Sequence, residues 1–94
     1  MQATDSTAVL TLVVEAKELT WVKILGDRYV LMNENLQPGT TRRFTAKKSI
    51  GIITGNAGGL SIKLNDHDIA PLGKSGQIRQ ITITPENLKD FIGD

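Results

Sequence analysis

Short runs of apolar and β-branched residues, separated by turn residues, recur along the whole chain. Residues 9–16 are apolar on both faces, a pattern typical of an interior strand, whereas residues 60–64 alternate so that every second side chain is apolar. Further strand-like runs occupy residues 21–25, 29–33, 42–48, 49–54, 67–69 and 77–84. About seven short strands at this spacing predict an all-β domain, either a small antiparallel β-sandwich or a flattened barrel.

The residues between these runs predict specific connections. Gly26-Asp27-Arg28 stands between two strand runs and predicts a hairpin with antiparallel strands. Pro38-Gly39 predicts a type II turn, and Asn65-Asp66 a two-residue turn. After the last strand, Thr84-Pro85 supplies an N-cap and a first helical residue, which predicts a short C-terminal helix.

The run 42–48 holds the only local concentration of basic residues. Alternation along a strand places Arg43 and Lys47 on one side and Phe44 on the other, as expected for a half-exposed edge strand. Two interpretations stay open. The charges form a solvated edge that resists aggregation, or they contact an acidic partner, in which case Arg43 and Lys47 are the candidate partner contacts.

Three glycines and an asparagine are crowded into the segment that joins two strand runs. Gly55, Asn56, Gly58 and Gly59 predict a structural corner at which backbone passes close to backbone, with a positive φ at one or more of the glycines. The segment does not fit a phosphate-binding loop, because such a loop opens a helix and residues 60–64 have the period of a strand.

Composition narrows the classes of function. The 94 residues are enough for one domain, expected over residues 8–94 after a disordered lead-in at residues 1–7. Eleven basic and ten acidic residues give a net charge of +1, which offers no bulk attraction to nucleic acid or to an anionic membrane. No cysteine is present, so disulfides and thiolate sites are excluded. No apolar run approaches the roughly 20 residues that span a bilayer.

Catalytic groups are scarce. The single histidine, His67, stands between Asp66 and Asp68 in what the pattern indicates is an exposed turn, without a second cluster of metal ligands. Glu15 and Glu18 flank another turn and are expected to be solvated charges. Because no nucleophile, base and orienting group can be assembled, we expect neither an enzyme nor a bound cofactor or metal.

The four aromatic residues do not form the set of interleaved rings and cations that single-stranded nucleic acid requires. Trp21 begins an apolar strand run after a turn. We therefore expect its ring to be a buried anchor of the core, with a ligand-stacking role as the alternative.

Several segments, in order along the chain, resemble the C-terminal extracytoplasmic domain of the RodZ family of bacterial cell-shape proteins. The resemblance covers residues 12–84, with one departure at Asn65-Asp66, where the family usually has Asp-Gly or Asn-Gly. The matching segments are Glu15-Ala16, Thr20-Trp21-Val22, Leu36-Gln37-Pro38-Gly39, Gly55-Asn56-Ala57-Gly58-Gly59-Leu60 and Pro71-Leu72-Gly73 with Gly76.

The resemblance implies a non-enzymatic interaction module, outside the cytoplasmic membrane, of a single-span protein involved in cell shape and wall elongation. Its partners would be envelope proteins of the wall-elongation machinery. It implies no binding of nucleic acid through this domain, and contact with the membrane only through a span that this chain does not contain. The alternative is a peptidoglycan- or glycan-binding β domain that uses Trp21 or Tyr29 as a stacking platform.

Overall fold

The computed structural model describes residues 10–69 and 71–92, and these residues form an almost entirely β structure. Eight strands, one turn of 3-10 helix at Ala57–Gly59 and one short helix, α1, at Leu88–Ile92 make up the fold. The strands are β1 (Leu10–Ala16), β2 (Thr20–Gly26), β3 (Tyr29–Leu36), β4 (Thr41–Ala46), β5 (Ile50–Thr54), β6 (Leu60–Leu64), β7 (His67–Ile69) and β8 (Arg79–Ile83). The expected lead-in at residues 1–7 lies outside the described residues.

The strands form two four-stranded antiparallel sheets that pack face to face. The first sheet has the order β4-β1-β6-β7 and the second the order β3-β2-β5-β8. This arrangement confirms the predicted β-sandwich, and neither sheet closes into a barrel. As predicted, β1 is an interior strand, β4 lies at an edge, and β2 pairs antiparallel with β3.

The core lies between the sheets and follows the alternation of each strand. Every second residue of β1 and of β6 is buried, and the facing positions of the second sheet are equally closed to solvent. Full burial of a valine, leucine or isoleucine side chain contributes about 1.5–3 kcal/mol. The largest fully buried side chains are Leu10, Leu12, Val14, Val22, Ile24, Leu36, Ile50, Ile52, Leu60, Ile62, Leu64 and Ile83.

The turns have the geometry that their residues predict. Gly39 has φ +91°, and the Thr40 N–H donates to the Gln37 carbonyl at 3.1 Å, as in a type II turn. The two hairpin turns, Asp27-Arg28 and Asn65-Asp66, both have positive φ at each residue, which matches the twist of the flanking strands. After β8, the Asn87 side chain accepts the Thr84 N–H at 2.8 Å, and the regular helix begins at Leu88, not at Pro85.

The carboxylate of Asp27 holds together the two turns at one end of the sandwich. It accepts the backbone N–H groups of Lys47 at 3.1 Å, Lys48 at 2.6 Å and Ser49 at 3.1 Å. These N–H groups therefore bond to a side chain and not to a neighbouring strand, and β4 ends at Ala46. The predicted strand over 42–48 was too long, and Lys47 lies in a turn. The hydrogen bonds from Lys48 and then Lys47 lower the pKa of Asp27.

We predict that Asp27→Asn lowers the free energy of unfolding at neutral pH, because the amide offers one acceptor oxygen in place of two and carries no charge. The folded-state pKa of Asp27 is lowered, so its stabilisation is present above the unfolded-state pKa and is lost as the pH falls through the folded-state pKa. Urea unfolding across the acid range should show the stability difference between parent and variant shrinking toward low pH. Asp66→Asn, a charge removal at another left-handed turn position, is the control. A difference that stays constant with pH would contradict the prediction.

Candidate interaction face

The glycine-rich segment packs against the loop at residues 73–77. The Ala57 N–H donates to the Gln77 carbonyl at 2.8 Å and the Gly58 N–H to the Lys74 carbonyl at 3.0 Å. A Cβ atom added at Gly58 would overlap the backbone nitrogen of Ser75. The segment is a corner at which backbone contacts backbone, and Gly58 is the position where a side chain has no room.

The predicted positive φ at this corner is wrong. Among the described glycines only Gly39 and Gly76 have positive φ, so Gly55, Gly58 and Gly59 adopt backbone conformations open to any residue. At Gly59 an added Cβ would lie 2.7 Å from Asn56 Nδ2 and 2.9 Å from Glu18 Cβ, whereas at Gly55 its nearest neighbour would be 3.8 Å away. Close approach, not backbone conformation, therefore requires glycine at 58 and 59, and Gly55 is under no such requirement.

Asn56 connects the corner to two other segments. Its amide nitrogen donates to Glu18 Oε1 at 3.0 Å and to the Leu19 carbonyl at 3.2 Å, and its amide oxygen accepts the Gly76 N–H at 2.7 Å. Ser75 Oγ donates to the same Glu18 oxygen at 2.9 Å. The hydrogen bond from Asn56 and that from Ser75 lower the pKa of Glu18. Both amide protons of Asn56 are thus used within the fold, and Glu18 has a structural role that the sequence analysis missed.

Trp21 is not the core anchor that the sequence predicted. Its neighbours Thr20 and Val22 point into the core, so alternation along β2 turns Trp21 outward, where the side chain is 36% exposed. The indole Nε1–H donates to Asn33 Oδ1 on the adjacent strand at 2.7 Å. The signal that the prediction overlooked is Thr20, whose hydroxyl is buried against Thr54 Oγ1 at 2.7 Å and takes the inward position.

Trp21 belongs to what we call the outer face, the side of the second sheet that points away from the first. Apolar residues of this face include Leu25, its register partner Val30, which is 56% exposed, and Ile53. Ile78, which is 73% exposed, directly precedes β8. It lies two residues before Gln80, a residue of the face, and so belongs to the same side of the strand. Residues that are lateral neighbours on adjacent strands form three rows across the face. The first row is Asn35, Trp21 and Gly55, the second is Asn33, Lys23, Ile53 and Gln80, and the third is Val30, Leu25, Gly51 and Thr82.

Two glycines, Gly51 and Gly55, leave low points on the surface of the outer face beside bulky side chains. A Cβ built on Gly51 would lie 3.5 Å from Leu25 Cδ1, and one built on Gly55 would lie 3.9 Å from Trp21 Cε3. Each bulky side chain of β2 thus lies beside a glycine of the neighbouring segment, which leaves a depression of about 150 Å³ at Gly51. The face is therefore indented and mixed in character: apolar side chains surround Lys23 at its middle row, and Arg28 lines the depression at Gly51.

The corresponding face of the first sheet is mostly polar. Its outward positions include Glu15, Arg43 and Lys63, and Lys63 forms an ion pair with Asp68 at 3.9 Å. Arg43 thus lies on a polar sheet face, whereas Lys47 lies in the turn held by Asp27. The structure does not place the two candidate partner contacts on one strand, as the sequence analysis had done.

Within the described ranges 10–69 and 71–92, no group of three or more histidine, aspartate or glutamate residues is close enough to hold a metal ion. His67 is an exposed residue at the start of β7. None of the helices in the described part of the chain has the length and apolar character needed to cross a membrane.

We predict that Gly58→Ala destabilises the domain by about 1–3 kcal/mol, the usual cost of forcing extra atoms into closed packing, because the new methyl group displaces the backbone at Ser75. Gly55→Ala is the matched control, and it should change the free energy of unfolding by well under 1 kcal/mol, since its methyl group has ordinary contacts. Denaturant unfolding of both variants measures the difference. Equal free energies of unfolding for the two variants would show that the close approach of Gly58 to the Ser75 backbone is not what requires glycine at the corner.

The chain was compared with protein families, curated proteins and solved structures. Residues 13–82 match the model of the family described as the RodZ C-terminal domain. The searches of curated proteins and of solved structures each gave no match. The family match covers most of the chain, includes all of the corner, and extends over β2 to β7 in full. The chain therefore belongs to the RodZ C-terminal domain family.

Proposed function

We propose that this domain is the extracytoplasmic, non-catalytic interaction module of a membrane-anchored, RodZ-like cell-shape protein, and that it binds a protein of the wall-elongation machinery through the outer face. Family membership supports the RodZ-like role. The observation that carries the choice of surface is the exposure of Trp21, Val30 and Ile78 on or beside one sheet face.

The composition of the outer face favours a protein partner. An interface patch typically has an apolar centre with aromatic anchors and a polar rim, and tryptophan is enriched among residues that dominate binding energy. On this face Trp21, Leu25 and Ile53 supply the apolar area around the single cation Lys23, and Asn35 and Gln80 lie on its outer strands. Apolar side chains exposed together on one sheet face are a mark of an interaction surface.

One observation favours a second candidate, the binding of a glycan. A solvent-facing ring next to hydrogen-bonding side chains is what a sugar-stacking site needs, and Trp21 is partly exposed beside Asn33 and near Asn35. Against this candidate, the indole N–H is already donated to Asn33, and one edge of the ring lies near Gly55. We therefore place the protein partner first.

We predict that a photo-reactive amino acid at Val30 or Ile78 of the native protein, in the intact cell envelope, forms an adduct with a wall-elongation protein. Both side chains are exposed, so replacement should not disturb the core. Thr45, exposed on the face of the first sheet, is the matched control position and should give no adduct. Immunoblotting for the adduct and thermal melting of each variant are the measurements.

The competing surface can be tested in the same cells. Val30→Glu with Ile78→Glu should abolish the adduct from a probe at Asn35, while Arg43→Glu with Lys47→Glu should leave it intact, with melting temperatures close to the parent in both cases. The reverse pattern would move the interface to Arg43 and Lys47 and contradict the assignment to the outer face.

We expect the fluorescence of Trp21, the single tryptophan, to stay unchanged when soluble peptidoglycan fragments are added to the domain. The free protein should emit at a wavelength typical of a partly exposed indole and be quenched readily by acrylamide, because the side chain is 36% exposed. A saturable blue shift with the fragments, reduced by Asn35→Ala, would instead establish the glycan candidate. Unrelated soluble oligosaccharides are the control for that titration.

A further inference from the structure

One end of the sandwich carries three exposed basic residues close together, although the net charge of the chain is only +1. The turn between β2 and β3 presents Arg28, and the connection from β4 to β5 presents Lys47 and Lys48. Hydrogen bonds from the second connection to Asp27 hold the two turns together. We call Arg28, Tyr29, Lys47 and Lys48 the basic end. A groove of about 670 Å³ lies between these residues, with Ser49 and Thr84 completing its lining.

The cations of the basic end form no ion pair within 4.0 Å among the described residues, although the Asp27 carboxylate attracts Lys48 electrostatically. Asp27 is the one acidic residue that lines the groove, and both of its carboxylate oxygens already accept backbone N–H groups. Among the described residues, no carboxylate lies within 4.0 Å of the charged nitrogens of Arg28, Lys47 or Lys48, whereas Lys17, Arg42 and Lys63 each have such a partner. Two further acidic residues of the described ranges lie at this end outside the lining of the groove: Asp66, in the turn of β6 and β7 on the first sheet, and Glu86, which follows Thr84 by two residues.

An aromatic ring projects from the same end. Tyr29 is 76% exposed, and Val30 beside it is 56% exposed. Amphipathic rings of this type are enriched at the boundary between the membrane and water, where the ring contacts the headgroup region and the hydroxyl stays hydrated. Basic side chains beside them add attraction to anionic lipid, worth about 1 kcal/mol each near the surface.

The first described strand, β1, begins at this end. Leu10, the first described residue, is the register partner of Ala46, and Lys47 follows directly. The corner formed by Gly55 and Gly59 lies at the opposite end of the sheets, because Ala16 pairs with Leu60 and Thr54 ends β5. An anchor joined to the domain before residue 10 would therefore lie nearer to the basic end than to the corner.

We propose that the basic end binds the surface of a membrane that contains anionic phospholipid, and so orients the domain with the corner pointing away from that membrane. The proposal rests on the proposed function in one respect, namely the membrane anchor. An anchor raises the effective concentration of the domain at the membrane surface, so that even a weak contact with that surface is occupied. The exposed cations fit an extended array of headgroups better than one captured phosphate, which calls for several convergent donors. The absence of a set of stacking rings around the groove favours lipid over single-stranded nucleic acid.

Vesicle sedimentation of the full 94-residue chain tests the proposal. With vesicles of equimolar phosphatidylglycerol and phosphatidylcholine at low salt, we expect binding that is lost with pure phosphatidylcholine and weakened by added salt. Lys47→Gln with Lys48→Gln should lower the partition coefficient about 25-fold, taking about 5-fold for each lysine. Arg43→Gln with Lys63→Gln removes the same charge from the face of the first sheet and is the matched control, expected to change it less than 3-fold.

A second measurement reports the orientation directly. In a Trp21→Phe background, Tyr29→Trp should be quenched by brominated lipid, while Trp21 of the parent should not, since it lies on the outer face. Sodium phosphate at matched ionic strength should displace the protein no better than sodium chloride, and stronger displacement would assign the groove to free phosphate instead. Equal losses in both double variants, or no binding to anionic vesicles, would overturn the proposal. None of these outcomes bears on the adduct from Ile78, which precedes β8 at the corner end of the outer face, so the two proposals fail separately.

Discussion

The meeting of two backbone segments at Gly58 is the constraint on which the rest of the structure depends. β5 belongs to the second sheet and β6 to the first, so the chain between Thr54 and Leu60 must cross from one sheet to the other. It crosses with one turn of 3-10 helix, and Gly58 then lies so close to the backbone of Ser75 that no Cβ fits. A larger residue there would push apart the crossing and the 73–77 loop, and with them the ends of both sheets.

The hydrogen bonds around the corner transmit this constraint to the remaining strands. Gly59 accepts the N–H groups of Lys17 and Glu18, which begin the turn from β1 to β2, and Asn56 bonds to Glu18 and to Gly76. The turn from β1 to β2, which leads from the first sheet to the second, is thus hydrogen-bonded to the connection from β5 to β6, which leads back to the first sheet. Beneath it, the hydroxyls of Thr20 and Thr54 form a buried hydrogen bond between β2 and β5. The corner therefore has a structural role, since its backbone and the Asn56 side chain hold neighbouring segments in place.

The parts of the fold that short-range rules govern could be predicted from the sequence. Alternation predicts the buried side of β6, and Pro38-Gly39 predicts its turn, because each depends on neighbouring residues alone. The errors arose where distant segments meet. The glycines at 58 and 59 respond to Ser75 and Glu18, and Lys47 left its strand because Asp27, twenty residues away, accepts its N–H. Trp21 was predicted to be buried because large rings usually are. The alternation along β2, in which Thr20 and Val22 point inward, instead predicts that Trp21 points outward.

The geometry distributes over the sandwich three regions that the sequence interleaves, and two of them, the basic end and the outer face, meet at Arg28. The corner lies at one end of the sandwich, the basic end at the other, and the outer face along the side of the second sheet. A partner seated on Trp21 and Ile53 would therefore leave Lys47 and Lys48 accessible, and contact at those lysines would leave the face open along the sheet. Because Val30 borders both regions, next to Tyr29 in sequence and opposite Leu25 in register, it is the position through which occupation of one region would influence the other. A domain with this division can hold a fixed orientation and still present a sheet face to a partner, which a single combined surface could not do.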